Sequence, residues 1–95
     1  KFSADDALLA PAVTAAIGNA LVGMDNAAEA VKYFEKAAKV ANNDVFSPLY
    51  LIKAANVYEK LGDKAAALKV YEQIKKEYPT SQQASTIDAY IERVK

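Results

Sequence analysis

Apolar residues recur at helical spacing along most of the chain. The clearest stripe is formed by Ala67, Leu68, Tyr71, Ile74 and Tyr78, with mostly polar and charged residues between them. This spacing places the apolar side chains on one face of an α-helix. With the comparable stripes in other segments and the boundary signals between them, the pattern predicts an all-α protein of five helices.

Proline, glycine and capping residues mark the boundaries between the predicted helices. Ser47 followed by Pro48 predicts a helix start, because Ser caps free amides and Pro at the first helical position lacks an N–H that would otherwise be unsatisfied. Gly62 and Asp63 are predicted to end that helix and begin the next, since Gly permits a positive φ and Asp caps the following turn. Pro79 is predicted to end the helix that follows.

Two further helix starts are predicted from capping residues. Asn26 with Glu29 three positions later resembles a capping box, in which side chains and backbone amides bond reciprocally at a helix start. Near the end of the chain, Thr80 or Ser81 is predicted to cap a last helix, and Thr80 with Gln83 again has capping-box spacing.

The sequence repeats itself when it is shifted by 37 residues, the separation of Pro11 and Pro48. The superposition also places Phe34 on Tyr71 and the small Gly18 on the small Ala55. Several identities do not involve alanine, so a bias toward alanine does not explain them. The identical pairs are Ala4 with Ala41, Pro11 with Pro48, Asn19 with Asn56, Ala28 with Ala65, Ala30 with Ala67, Lys32 with Lys69, Glu35 with Glu72 and Lys39 with Lys76.

The repeat divides the chain into four segments. Residues 11–47 and 48–81 are predicted to form two repeats, each a helical hairpin. Residues 1–10 match the end of such a repeat and its connector, so the chain is predicted to begin where an upstream repeat finishes. Residues 82–95 are predicted to form a C-terminal capping helix with a polar back, because the last hairpin of an array otherwise leaves an apolar face in water.

The two units resemble the tetratricopeptide repeat, whose pattern is W-x2-L-G-x2-Y, then A-x3-F, then P. The second unit carries the resemblance through Leu51, Ala54, Ala55, Tyr58, Ala67, Tyr71 and Pro79. The first carries it through Thr14, Ile17, Gly18, Leu21, Ala30 and Phe34, with Asn42 in place of the proline. The resemblance implies an α–α superhelix of two helical hairpins and a capping helix, with small residues where the helices cross.

The resemblance also implies a binding face. In tetratricopeptide folds the first helices of successive hairpins line a concave groove, and the candidate partner-binding residues there are Asn19, Val22, Leu49, Ile52, Asn56 and Glu59. In peptide-binding members the matching Asn often hydrogen-bonds the ligand backbone, whereas a solvated Asn is the alternative. Members that clamp an acidic C-terminal peptide carry a Lys one turn earlier, where this chain has Ala15 and Ile52. We therefore expect an apolar extended or helical segment as the ligand.

The amino-acid composition argues against several kinds of functional site. Lys+Arg and Asp+Glu both number 12, so the formal net charge is zero and no nucleic-acid footprint is predicted. The chain has no Cys and no His, which excludes disulfides, thiolate metal sites and imidazole acid–base catalysis. The carboxylate pairs Asp5–Asp6 and Asp88–Glu92 are interpreted as solvated, and no metal, cofactor or catalytic residue is expected.

The sequence thus predicts a non-enzymatic scaffold that binds a protein or peptide. The alternative is a structural cap or self-association region of a longer array, because Leu49 and Ile52 suit a second copy as well as a ligand. Direct membrane contact is not expected, since no apolar run reaches the roughly 18 residues of a membrane span.

Two stretches carry a narrower resemblance. The stretch from Lys75 to Ser81 resembles repeats of bacterial cell-envelope proteins, and the stretch from Ala10 to Asn19 resembles membrane-anchored proteins of the Bacteroidetes type. The resemblance implies a periplasmic location, with anchoring through an upstream segment.

Overall fold

The computed structural model describes residues 10–95, which form five α-helices and one short 3-10 turn and contain no strand. Each helix packs against the next one along the chain. The predicted all-α fold with five helices is therefore confirmed for the described residues. The helices are α1 (Pro11–Gly23), α2 (Ala27–Ala41), α3 (Phe46–Lys60), α4 (Lys64–Glu77) and α5 (Ile87–Val94), and the 3-10 turn (Ala84–Thr86) directly precedes α5.

The predictions for the first ten residues fall almost entirely outside this range. The upstream repeat end at residues 1–3, the connector from residue 4 and the Asp5–Asp6 pair all lie outside the described residues. Pro11 is the first residue of α1, as the repeat register predicts.

The turn between α3 and α4 is built as the sequence predicts. Gly62 adopts a φ of 81°, a left-handed conformation that suits glycine. The side chain of Asp63 then caps α4 by accepting a hydrogen bond from the Ala66 amide at 3.1 Å. α4 ends at Glu77, two residues before Pro79.

The predicted start of α3 at Pro48 is wrong, because the helix begins two residues earlier at Phe46. The residue that satisfies its first amides is Asn43, whose side-chain oxygen accepts from the amides of Val45 and Phe46 at 2.9 and 2.7 Å. Ser47 lies inside the helix and is fully buried. Its hydroxyl donates to the Ala38 carbonyl at 2.6 Å and accepts from the Asn43 amide at 3.0 Å, so it links α2 to the start of α3.

Two other predicted helix starts need correction. Asn26 precedes α2, but its side chain makes no capping hydrogen bond, and Glu29 instead pairs with Lys32 at 3.4 Å. Near the end of the chain, neither Thr80 nor Ser81 caps the last α-helix, which is preceded by Thr86 without a side-chain cap. Ser81 instead accepts from the Ala84 amide at 3.1 Å in the turn before it. The α-helix that follows begins only at Ile87, because the intervening residues adopt the tighter 3-10 geometry.

Aromatic residues opposite small ones fill the core between the helices. Phe34 and Tyr71, which occupy matching repeat positions, are both buried. A Cβ at Gly18 would lie 2.9 Å from Cε1 of Phe34, so α1 and α2 approach too closely for a side chain there. Ala30 and Ala67 are completely buried on the second helices of the two hairpins, in agreement with the requirement for small residues.

Candidate functional site

The first helix of the first hairpin presents an uncharged surface. α1 contains no charged residue, and Asn19 lies on its exposed side while Val22 is half-buried. Ala15, one turn before Asn19, is buried against the core. A partner that contacts α1 therefore meets small apolar side chains and a single carboxamide.

The first helix of the second hairpin, α3, exposes one narrow strip. Its members follow one another at intervals of three or four residues, and their spacing places them on one side of the helix. Leu49 is 38% exposed and Phe46 is 49% exposed, while Ile52 on the flank of the strip is half-buried. We call this surface the α3 strip, and it consists of Phe46, Leu49, Lys53, Asn56 and Lys60.

The character of the α3 strip changes along the helix. From Val45 to Ile52 the chain carries no charge, and both Phe46 and Leu49 expose apolar surface there. Beyond that point the strip is polar, with Asn56 between two lysines. The strip therefore combines an apolar end with a hydrogen-bonding end.

Glu59, the last of the predicted binding residues, is already engaged within the chain. Arg93 of α5 holds its carboxylate through two hydrogen bonds, from Nε to Oε1 at 3.1 Å and from Nη2 to Oε2 at 2.6 Å. This forked geometry is the strongest arrangement of an arginine–carboxylate pair. The hydrogen bonds from Arg93 lower the pKa of Glu59, and the hydrogen bond from Tyr71 acts in the same direction.

Tyr71 of α4 joins this pair to Asn56. Its hydroxyl lies 2.5 Å from Oε2 of Glu59 and 2.9 Å from Oδ1 of Asn56. Burial raises the pKa of Tyr71, and the neighbouring Glu59 carboxylate raises it further. We call these four residues, Asn56, Glu59, Tyr71 and Arg93, the Arg93 network.

Aromatic contacts hold α5 in place beside this network. The rings of Tyr71 and Tyr90 stack with centroids 5.3 Å apart, and the Arg93 guanidinium lies 4.9 Å from the centre of the Tyr90 ring. On the outer side, Lys75 of α4 pairs with Asp88 of α5 at 2.7 Å. Asp88 is thus an ion-pair partner rather than a merely solvated carboxylate.

Sequence reasoning identified Asn56 and Glu59 but missed Tyr71 and Arg93 as site residues. A signal for Tyr71 was present, because the repeat superimposes it on Phe34, which lacks a hydroxyl. Arg93 carried no such signal, since it lies 34 residues from Glu59 and outside the two repeats.

An open notch lies at the other end of α3. Its volume is about 400 Å³, and Pro11, Val40, Phe46 and Tyr50 contribute much of its apolar wall. The Phe46 ring stacks on Tyr50 with centroids 6.4 Å apart. The notch continues the apolar end of the α3 strip toward the start of α1.

Two further features are missing from the described part of the chain. Residues 10–95 contain no group of three or more acidic or imidazole or thiol side chains placed to hold a metal ion. Within the same residues, every helix is too short or too polar to cross a membrane.

Comparison with known proteins assigns both hairpins to one family. Residues 50–81 match one model described as a tetratricopeptide repeat, and residues 15–44 match a second model of the same description. None of the curated proteins compared with the chain matches it significantly, and none of the solved structures does. The two matches together cover more than half of the sequence and overlap most of α1–α2 and of α3–α4. The chain is therefore a tetratricopeptide repeat protein, with one repeat in each helical hairpin.

Proposed function

We propose that this protein is a non-enzymatic scaffold that binds an apolar extended or helical segment of another protein. Tetratricopeptide repeats generally mediate protein–protein interaction and are typically non-enzymatic. The proposed contact surface consists of the exposed sides of α1 and α3, including the α3 strip. The predicted concave groove would bring these two sides together.

The observation that carries the proposal is the uncharged stretch at the start of α3. Leu49 and Phe46 expose apolar surface side by side, although exposed helix positions usually carry polar residues. α1 is also free of charge along its whole length. An apolar partner segment gains from burying such a surface, whereas an acidic peptide finds no lysine at Ala15 or Ile52 to pair with.

The candidate residues take different roles in this proposal. Leu49, Ile52 and Val22 would contact apolar side chains of the partner. Asn19 and Asn56 would hydrogen-bond its backbone. Glu59 is engaged by Arg93 and would act by supporting the polar end of the surface.

Selection from a displayed peptide library tests the proposal. We expect the wild-type protein to enrich a family of apolar peptides and a Leu49→Asp variant to lose this enrichment. Leu61→Asp is the matched control, because Leu61 has a similar exposure of 47% but lies at the hairpin turn outside the α3 strip. Equal enrichment by both variants, with unchanged circular dichroism, would reject the α3 strip as the binding surface.

Self-association is the second candidate function, and the notch at the start of α3 favours it. Val40 and Phe46 are exposed residues that line this notch, and they could pack against a second copy. Multi-angle light scattering over a range of concentrations distinguishes the two functions. A dimer that Phe46→Asp dissociates would support self-association, and a strict monomer would exclude it.

The cell-envelope setting stays a prediction of the resemblance between residues 75–81 and envelope repeats. It would be supported by recovery of the natural protein in a periplasmic fraction. Recovery in the cytosolic fraction would reject it.

A further inference from the structure

The two repeats differ in the surroundings of an otherwise equivalent asparagine. Asn19 and Asn56 occupy the same repeat position, but the position that holds Tyr71 in the second repeat holds Phe34, which lacks a hydroxyl, in the first. Asn19 makes no hydrogen bond with its side chain among the described residues, whereas the Asn56 carboxamide lies 2.9 Å from the Tyr71 hydroxyl. Among residues 10–95, only the second asparagine therefore has a partner that can orient it.

The Tyr71 hydroxyl has two oxygen neighbours and a single proton. Oε2 of Glu59 is 2.5 Å away, and Oδ1 of Asn56 is 2.9 Å away. An O–H donor forms its shortest bonds, of about 2.5–2.7 Å, to charged oxygens. The proton consequently goes to Glu59, and no proton is left between the hydroxyl oxygen and the oxygen of Asn56.

Two oxygens without a shared proton repel each other, and a carboxamide can remove this repulsion. Its oxygen and nitrogen are nearly equal in size, so a half-turn about χ2 brings the Nδ2 amide to the hydroxyl oxygen. The amide then donates to the Tyr71 oxygen, which has free lone pairs. After this turn the Oδ1 atom of Asn56 faces away from Tyr71, toward the exposed side of α3.

Arg93 stabilises the arrangement in which Tyr71 donates its proton to Glu59. Its forked hydrogen bonds hold Glu59 in the charged form and fix the position of the carboxylate oxygen beside Tyr71. The Arg93 Nη2 group also lies 3.4 Å from the Tyr71 oxygen and can only donate to it. Both contacts favour donation of the phenolic proton to Glu59.

We propose that Tyr71, Glu59 and Arg93 are positioning residues that turn the Asn56 carboxamide so that its oxygen faces the partner. This inference rests on the proposed binding function and narrows its chemistry. At Asn56 the partner must supply a hydrogen-bond donor, such as a main-chain N–H of an extended segment. The part of the chain that the structure describes gives Asn19 no such positioning residues, so its carboxamide can present either end.

Solution NMR of the isolated protein tests the proposal without a partner. A nuclear Overhauser effect is expected between the Asn56 Nδ2 protons and the ring protons adjacent to the Tyr71 hydroxyl. In Glu59→Ala, Tyr71 can donate its proton to the Asn56 oxygen, so this effect should disappear. Arg93→Gln should weaken it. Glu92→Ala, which removes an exposed carboxylate from α5, is the control and should leave the effect unchanged.

Two results would overturn the proposal. One is the absence of the effect in the wild-type protein, since the oxygen would then face Tyr71. The other is an unchanged effect in a folded Glu59→Ala variant. The measurement on the wild-type protein tests the orientation of the Asn56 carboxamide even when a variant fails to fold. Failure of the peptide selection would affect the binding function alone, because the orientation of Asn56 is measured in the free protein.

Discussion

Gly18 lies against the ring of Phe34 so closely that an added Cβ would be 2.9 Å from Cε1 of that ring. Phe34 is 2% exposed, and the ring therefore has little room to move away. Overpacking costs about 1–3 kcal/mol, while replacing Gly by Ala inside a helix gains about 1 kcal/mol. We expect Gly18→Ala to lower the free energy of unfolding by about 1 kcal/mol, measured by urea denaturation.

Gly23 provides the control for this prediction. It is the last residue of α1, and no atom lies within 4 Å of the Cβ that an alanine would add. Gly23→Ala should leave stability unchanged or raise it slightly. Equal effects of the two substitutions would mean that the approach of α1 to Phe34 is looser than the distances indicate.

Ala67 tests the same packing principle in the second repeat. It is completely buried on α4, which packs on α3, and a leucine there would have to displace neighbouring side chains. We expect Ala67→Leu to destabilise the protein by about 1–3 kcal/mol, seen as a lower melting temperature. Ala65→Leu is the control, because Ala65 is exposed on the same helix and should change stability by less than about 0.5 kcal/mol.

These packing positions were predictable from the sequence because they are repeated. Ala30 and Ala67 share one register, as do Gly18 and Ala55. A small residue at both copies of a position indicates a steric requirement of the hairpin itself. The family resemblance then assigned that requirement to the helix crossing, and the structure places Gly18 and Ala67 in close contact with the core.

Asp63 and Asn26 form a matched pair for the contribution of helix caps. Both precede the second helix of a hairpin, and their backbones make corresponding hydrogen bonds to the preceding helix and to the next turn. The Asp63 side chain also accepts from the Ala66 amide, whereas the Asn26 side chain accepts from no amide of its helix. We expect Asp63→Ala to cost about 1 kcal/mol of unfolding free energy and Asn26→Ala only a few tenths.

Chemical denaturation of the two variants measures this difference directly. Equal losses would show that the two side chains contribute equally to their helices. Asn26 with Glu29 has the spacing of a capping box, but spacing does not determine the rotamer, and Glu29 pairs with Lys32 instead.

Ser47 is a buried link between α2 and α3, although its position before Pro48 predicted a helix cap. Its hydroxyl satisfies the Ala38 carbonyl and the Asn43 amide at the same time. Removal of the hydroxyl leaves the Asn43 amide without this partner, while the Ala38 carbonyl keeps its hydrogen bond from the Asn42 amide at 3.1 Å, so the cost should be about 1 kcal/mol. We expect this loss in Ser47→Ala by thermal or urea denaturation.

Ser85 is the control for Ser47. Its hydroxyl donates to the Gln82 carbonyl at 2.6 Å, but the residue is exposed, so water can replace the bond. Ser85→Ala should change the unfolding free energy by less than about 0.5 kcal/mol. A loss for Ser47→Ala no larger than this would contradict its role as a buried link.

Only part of the candidate site could be predicted from the sequence. Some of its residues are placed by local helix register, whereas others depend on contacts between residues far apart in the sequence. The positions of Asn56 and Leu49 on one side of α3 follow from the helix register, which the repeat defines locally. The role of Arg93 depends on how α5 packs on α4 and turns its side chain toward α3, and no short-range pattern records this packing. Glu59 was consequently assigned to a partner, although its carboxylate is already held within the chain.

The ion pair of Glu59 and Arg93 predicts how stability depends on pH. Because the folded state lowers the pKa of Glu59, chiefly through the Arg93 hydrogen bonds, the charged carboxylate stabilises the fold above its unfolded pKa. This contribution is lost as the pH falls through the folded pKa. We expect the free energy of unfolding to fall as the pH is lowered into the acid range, and Glu59→Gln to make this fall shallower.

A double-mutant cycle distinguishes the contribution of the Glu59–Arg93 pair to the pH dependence of stability from that of the other carboxylates. Arg93→Gln removes the largest cause of the lowered pKa, so it should flatten the acid-range profile, but less than Glu59→Gln does because the Tyr71 hydrogen bond remains. The double variant should flatten the profile no further than Glu59→Gln alone. The Arg93 side chain is 53% exposed, and the effect should therefore weaken at high ionic strength. Additive flattening by the two substitutions would mean that each acts through a different neighbour. In that case the Arg93 network would not be a coupled unit.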